Sequence, residues 1–101
     1  MARVSIKDAR RSFGLVYRAD IDCDEFRELS PTARLVYVAL TLFASATREA
    51  YPRVSTIAAV VGVSERGVHR ALVELSEAGF ISIDKRQIGP RRYNTYTLLE
   101  R

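Results

Sequence analysis

The chain has 101 residues and a mass of 11.4 kDa, 48% of it hydrophobic and 28% charged, which suits one compact domain with a single core. Sixteen Lys and Arg against twelve Asp and Glu leave a formal charge of +4, a basic balance that favours a polyanionic partner. The longest nearly unbroken apolar run, Leu35 to Ala44, is about half the roughly 20 residues of a membrane span, so no membrane partner is expected.

Residues Met1 to Asp8 lack the apolar stretch of a secretory leader, and the expected location is the cytoplasm. Cys23 is the single cysteine and His69 the single histidine. An internal disulfide and a multi-thiolate metal site are thereby excluded. No phosphate loop, acid/base pair or nucleophile with its base stands out either, so neither an enzyme nor a cofactor is expected. Charge is uneven along the chain: residues 1–20 hold five basic and two acidic groups, 21–50 three and five, and 51–101 eight and five.

In chain order, residues 1–13 read as a basic N-terminal segment carrying Arg3, Lys7, Arg10 and Arg11, with Ser5 to Phe13 a frayed helix or an arm. Leu15-Val16-Tyr17 suits a short strand, and Asp24 to Leu29 a helical turn that gives Phe26 and Leu29 to the core. Ser30-Pro31 marks a helix start, since serine accepts from orphan N–H groups and proline at the first helical position loses no bond. Along that helix Leu35, Val38, Ala39, Leu42 and Ala46 gather on one side, Val36 and Phe43 widen it, and Arg34, Thr41 and Arg48 line a polar stripe opposite. So broad an apolar face implies a central helix, either covered by the rest of the domain or partly shared with a second subunit.

Tyr51-Pro52-Arg53-Val54 suits a brief edge strand or an extended link. A helix over Ser55 to Val61 follows, with Ile57, Ala58, Val60 and Val61 at helical spacing and Gly62 at its left-handed end. Ser64 caps the next helix, where Val68, Ala71, Leu72 and Leu75 recur at i, i+3, i+4 and i+7, Glu65 favours the dipole, and Gly79 closes the end. Phe80 to Asp84 and Tyr93 to Leu99 alternate as strands around a basic tip, Lys85 to Arg92, with a Gly-Pro turn.

Helix, glycine turn, second helix and basic hairpin in this order predict an α+β winged helix-turn-helix, a three-helix core with a C-terminal β-hairpin wing. Ala58 allows close approach of the helices, Gly62 makes the turn and Val68 pins the second helix. A helix fits the DNA major groove, and its first turns present side chains to base edges. Arg66 and Arg70 stand opposite the core-facing positions of the second helix, with Val73 and Glu77 further along and His69 at the margin. Either arginine suits a guanine edge or a phosphate; one of each is expected. On the wing, Arg91 and Arg92 at the tip, with Lys85 and Arg86 on the incoming side, suit phosphate contact. His69 reads as a helix-surface residue, Cys23 as a small apolar one, and Tyr93 and Tyr96 as hairpin and core packing rather than base-stacking platforms.

Leu29 to Tyr37, Tyr51-Pro52, Thr56-Ile57-Ala58, Gly62-Val63-Ser64, Val68 to Leu75, Ala78 to Ile81 and Asn94 to Leu98 together resemble the winged helix-turn-helix domain of phage and plasmid replication initiators and related small regulators. The resemblance covers roughly residues 14 to 99. It implies double-stranded DNA binding through the second helix of the motif and the wing, often as a homodimer, and Ser64, Arg66 and Arg70 match the family's cap and DNA-facing positions. Two residues depart from it. Arg53 replaces a serine, which shifts the expected helix start toward Ser55, and Gly67 replaces a β-branched residue at a helix-propensity cost of about 1 kcal/mol or makes room for a close backbone approach. The expected DNA-binding set is Arg53, Ser64, Arg66, Gly67, His69, Arg70, Arg86, Arg91 and Arg92, with residues 64–78 in the major groove and 85–93 on the backbone. The competing reading is a winged-helix module that binds another protein, favoured by Glu65, Glu74 and Glu77 on the same helix.

Overall fold

Ser30 does what its place before Pro31 predicts: its Oγ accepts the Ala33 N–H at 3.1 Å, and α3 (Pro31–Phe43) begins. In the computed structural model, which describes residues 13–100, two four-residue helical turns precede it, α1 (Arg18–Ile21) and α2 (Asp24–Arg27). A two-residue strand, β1 (Glu49–Ala50), leads to α4 (Val54–Val61) and α5 (Glu65–Glu77), and the chain ends in a hairpin of β2 (Ile81–Ile88) and β3 (Arg91–Leu98). The sheet is antiparallel in the order β1-β3-β2. Three helices packed on a winged sheet make this a winged helix-turn-helix α+β fold. The proposed arm lies outside the described residues, save for exposed Phe13.

The core is built where α3, α4 and α5 meet the sheet. Tyr37, Leu40, Ile57, Val68, Leu75, Phe80, Ile81 and Tyr96 are buried in it. Phe26, Tyr37 and Phe80 close a trio of edge-to-face rings with centroids 5.7 to 5.8 Å apart, a geometry in which a positive ring edge meets a negative face. The turn at Asp24 to Leu29 therefore contributes Phe26 and Leu29 as expected. Cys23 packs against the core, its Sγ 3.4 Å from the Asp20 carbonyl.

Three expectations are corrected and one alternative is settled. Leu15 to Tyr17 has no regular secondary structure and joins neither edge of the sheet. On α3 the buried side is Ala33, Val36, Tyr37, Ala39, Leu40 and Thr41, while Leu35, Val38 and Leu42 stay exposed at 46%, 40% and 43%. The helix stops at Phe43, so Ala46 and Arg48 are not on it, and Arg48 takes φ 66° in the following turn. Thr41 is buried because Gly14 crosses over it; its hydroxyl turns back onto the Val38 carbonyl at 2.6 Å. Of the two readings of residues 51–54 the extended link holds: the edge strand is Glu49–Ala50, and residues 51–53 join it to α4. Last, the strands continue through the expected tip to a two-residue turn at Gly89-Pro90, pairing Lys85 with Asn94 and Ile88 with Arg91.

Two buried phenols tie stability to alkaline pH. Burial pushes the Tyr37 hydroxyl above 10.0, helped by the charge and hydrogen bonding of Asp20 and opposed by Arg48. Burial likewise raises Tyr96, against a lowering bond from Asn94. In the unfolded chain both ionise near 10.0, whereas the folded chain keeps its protons to higher pH. Their stabilising contribution is complete below pH 10 and falls as pH rises through the folded values. Urea midpoints should stay level as pH approaches 10 and drop above it, and Tyr37→Phe should shallow the drop.

Candidate nucleic-acid interface

The helix-turn-helix is set by one glycine and one serine. Gly62 adopts φ 76°, ψ 31°, a left-handed conformation open to glycine at little cost. That twist returns two N–H groups to the Ala58 carbonyl, from Gly62 at 2.8 Å and from Val63 at 3.2 Å. Ser64 then accepts the Gly67 N–H on its Oγ at 3.0 Å and starts α5. The helix closes through Gly79, φ 84°, with the Phe80 N–H donating to Leu75 and the Gly79 N–H to Ser76, the paired reverse bonds that satisfy a helix end.

With Val68, Ala71, Leu72 and Leu75 buried, the opposite face of α5 is fixed. Arg66, His69, Arg70, Val73 and Glu77 are exposed there, as the spacing predicts. No described residue pairs with Arg66 or Arg70. Glu74 is turned away from this group: its carboxylate accepts the Ser30 N–H at 2.7 Å and the Ser30 hydroxyl at 2.8 Å. A negative group at the N-terminus of α3 complements its dipole, so one of three acids that spoke for a protein partner is a brace between helices.

Arg53, not a residue nearer Ser55, occupies the N-cap of α4, and its side chain makes no capping bond. Val54 consequently opens the helix. The loss of a serine-type cap costs about 1 kcal/mol. Arg53 lines a cleft of about 1020 Å3 between the 51–54 link and the wing, shared with Lys85, Arg86, Arg91 and Arg92. Among these cations Arg86 alone has an acidic neighbour, Asp84 at 3.8 Å.

Sequence reasoning overlooked Tyr51, which lines the same cleft at 55% exposure. A large aromatic residue beside a proline, outside any apolar period, was the available signal. Its hydroxyl donates to Glu49 at 3.2 Å, and that bond, with the Glu49 charge, holds the phenol above its usual 10.0. It is thus a neutral group among cations. Tyr93 is half-buried on the other wall, whereas Tyr96 is core.

At Gly67 the fold leaves room. A Cβ there would meet only the Ser64 hydroxyl at 3.4 Å and Val63 carbons at 3.8 and 3.9 Å, and no positive φ demands glycine. Gly67→Ala should therefore stabilise the domain by up to about 1 kcal/mol, the helix-propensity difference. Thermal melts of the two proteins check this.

A glycine-turned helix pair with free arginines on the second helix, and a basic wing beside it, defines the winged helix-turn-helix class, whose architecture places a helix in DNA. Residues 27–81, more than half of the chain, match the family model described as a helix-turn-helix domain, and the chain belongs to that family. No curated protein and no solved structure gives a match. No helix among the described residues is long and apolar enough to cross a membrane, and those residues hold no cluster of three or more metal-ligating side chains.

Proposed function

We propose that this is a sequence-specific double-stranded DNA-binding protein, acting as a transcriptional regulator or replication-origin recognition factor of the phage or plasmid type. The carrying observation is the exposed, unpaired pair Arg66 and Arg70 in the first two turns of α5, held rigidly by its buried opposite face. Residues 14–99 form the DNA-binding domain, with α5 in the major groove, Ser64, Gly67 and His69 at its approach, and the wing, Arg86, Arg91 and Arg92, on the backbone with Arg53. The basic arm of residues 1–13 adds phosphate contacts. A homodimer on paired half-sites is supported by the exposed Leu35, Val38 and Leu42 stripe of α3. The domain works without a cofactor, by occupying its site.

Selection from a random duplex library, followed by titration of enriched and scrambled duplexes at two salt concentrations, tests this. An enriched motif, bound more tightly than its scramble and less tightly at high salt, supports the reading. Absence of both enrichment and salt-sensitive retention would transfer the weight to a protein partner. Arg91→Ala with Arg92→Ala should weaken enriched and scrambled duplexes alike and reduce the slope of log affinity against log salt by about 2, one for each phosphate left without its arginine.

A further inference from the structure

The cleft between the 51–54 link and the wing has a composition that a duplex backbone does not require. Its cations, Arg53, Lys85, Arg86, Arg91 and Arg92, come from both walls, and no acidic residue lines it. Phosphates account for these. Tyr51 on one wall and Tyr93 on the other stand in a cleft that also holds the amides of Gln87 and Asn94. Such groups can donate to phosphates, but the one proton of the Tyr51 hydroxyl is already given to Glu49, which leaves its ring rather than its hydroxyl for a ligand. In a duplex the faces of the bases are covered by their neighbours, so a ring that stands 55% exposed in a cationic cleft meets no base face there. An unpaired strand offers both a backbone and free base faces, and a positively charged groove with aromatic rings is the arrangement that binds it.

Size points the same way. About 1020 Å3 is near the upper end of the roughly 300–1,000 Å3 of sites that engulf small ligands, enough for a few nucleotides of one strand. The hydrogen bond from the Tyr51 hydroxyl to Glu49 tethers a ring that stands 55% exposed. The Gln87 amide is oriented similarly, its Nε2 donating to the Gly89 carbonyl at 3.1 Å.

We infer that the cleft between Tyr51–Val54 and the wing binds an unpaired polynucleotide strand, with Tyr51 and Tyr93 stacking on bases and the five cations holding the phosphates. This ligand is distinct from the duplex assigned to α5, but its phosphates would use Arg53, Arg86, Arg91 and Arg92, the cations also proposed for the duplex backbone, so only the tyrosines separate the two. The cleft then takes a separated strand in place of a duplex backbone, while α5 keeps its duplex.

The test is fluorescence anisotropy of end-labelled dT16, rU16 and a sixteen-base-pair duplex with the full chain and its variants, at low and high salt. The wild type should bind at least one of the two single strands in a salt-sensitive manner, dT16 and rU16 telling a DNA strand from an RNA strand. Tyr51→Ala should weaken that binding at least about fivefold, the low end for one stacked base, and Tyr51→Ala with Tyr93→Ala further. Tyr51→Phe with Tyr93→Phe should stay within about twofold of wild type, because stacking needs the ring and not the hydroxyl. Duplex affinity should change less than about twofold in all of them. Circular dichroism establishes that each variant is folded, and exposed Tyr51 provides a single change should the double variant unfold. The inference is overturned if the wild type binds neither single strand, if folded Tyr51→Ala binds as the wild type does, or if duplex and single strand weaken equally, which would return the cleft to duplex phosphates.

Discussion

Arg66→Ala combined with Arg70→Ala should abolish most discrimination between the selected duplex and its scramble while leaving the fold intact. Both side chains are exposed and free of partners among the described residues, so their removal should change stability by no more than about 0.5 kcal/mol. Neither contributes to the packed side of α5, which is Val68, Ala71, Leu72 and Leu75. A guanidinium bonded to both O6 and N7 of guanine contributes about 1–3 kcal/mol of discrimination, equivalent to roughly 5- to 150-fold in affinity at that base. Single variants separate the roles. The arginine that reads a base should lose preference at one position of the site, whereas the one on phosphate should weaken all sequences and lower the salt slope by about 1. Titrations of duplexes carrying single base changes give the answer, and a folded double variant with undiminished discrimination would remove α5 from the major groove.

The helix-turn-helix was legible because its determinants are local. Only glycine easily takes the φ of residue 62, and Ser64 lies three residues before the N–H it accepts, so residue type and spacing carry the information. The exposed face of α5 followed, since its charged and apolar residues segregate cleanly. On α3 they do not: nine of its thirteen residues are apolar, and a pattern apolar nearly all round cannot say which side is inside. Thr41 is buried by Gly14, 27 positions earlier, and Glu74 reaches Ser30 across 44 positions; no window of sequence holds either contact. The wing was read too short because beyond Ile83 and Tyr96 the strands leave the core, and apolar alternation fades while backbone pairing goes on to Ile88 and Arg91. The cleft stayed hidden for a related reason: Arg53 and the wing cations are far apart in sequence and meet only when β1 joins β3.

The same crossing over α3 gives the largest stability change expected of a single methyl group. Gly14 is not in the left-handed region, so its lack of a side chain is a matter of space. A Cβ built there falls on the Thr41 hydroxyl and within 2.6 Å of the Thr41 carbonyl carbon and oxygen, closer than real Cβ contacts come. Gly14→Ala should destabilise the domain by about 1–3 kcal/mol, the usual cost of overfilling a packed contact. Thr41→Ala in the same chain should restore only part of the loss: it removes the hydroxyl but not the backbone atoms, which cannot move without bending α3. The crossing segment can escape instead by lifting off. It would then give up the bond from Arg48 Nη1 to the Leu15 carbonyl at 3.1 Å and the stacking of Arg48, 4.9 Å above the centre of the Tyr17 ring. Either response lowers the urea midpoint, and hydrogen exchange distinguishes them. Strain within α3 speeds exchange along the helix, and detachment speeds it in residues 15–17 while α3 stays protected. A Gly14→Ala protein with an unchanged midpoint would mean that the segment does not pack on Thr41 in solution.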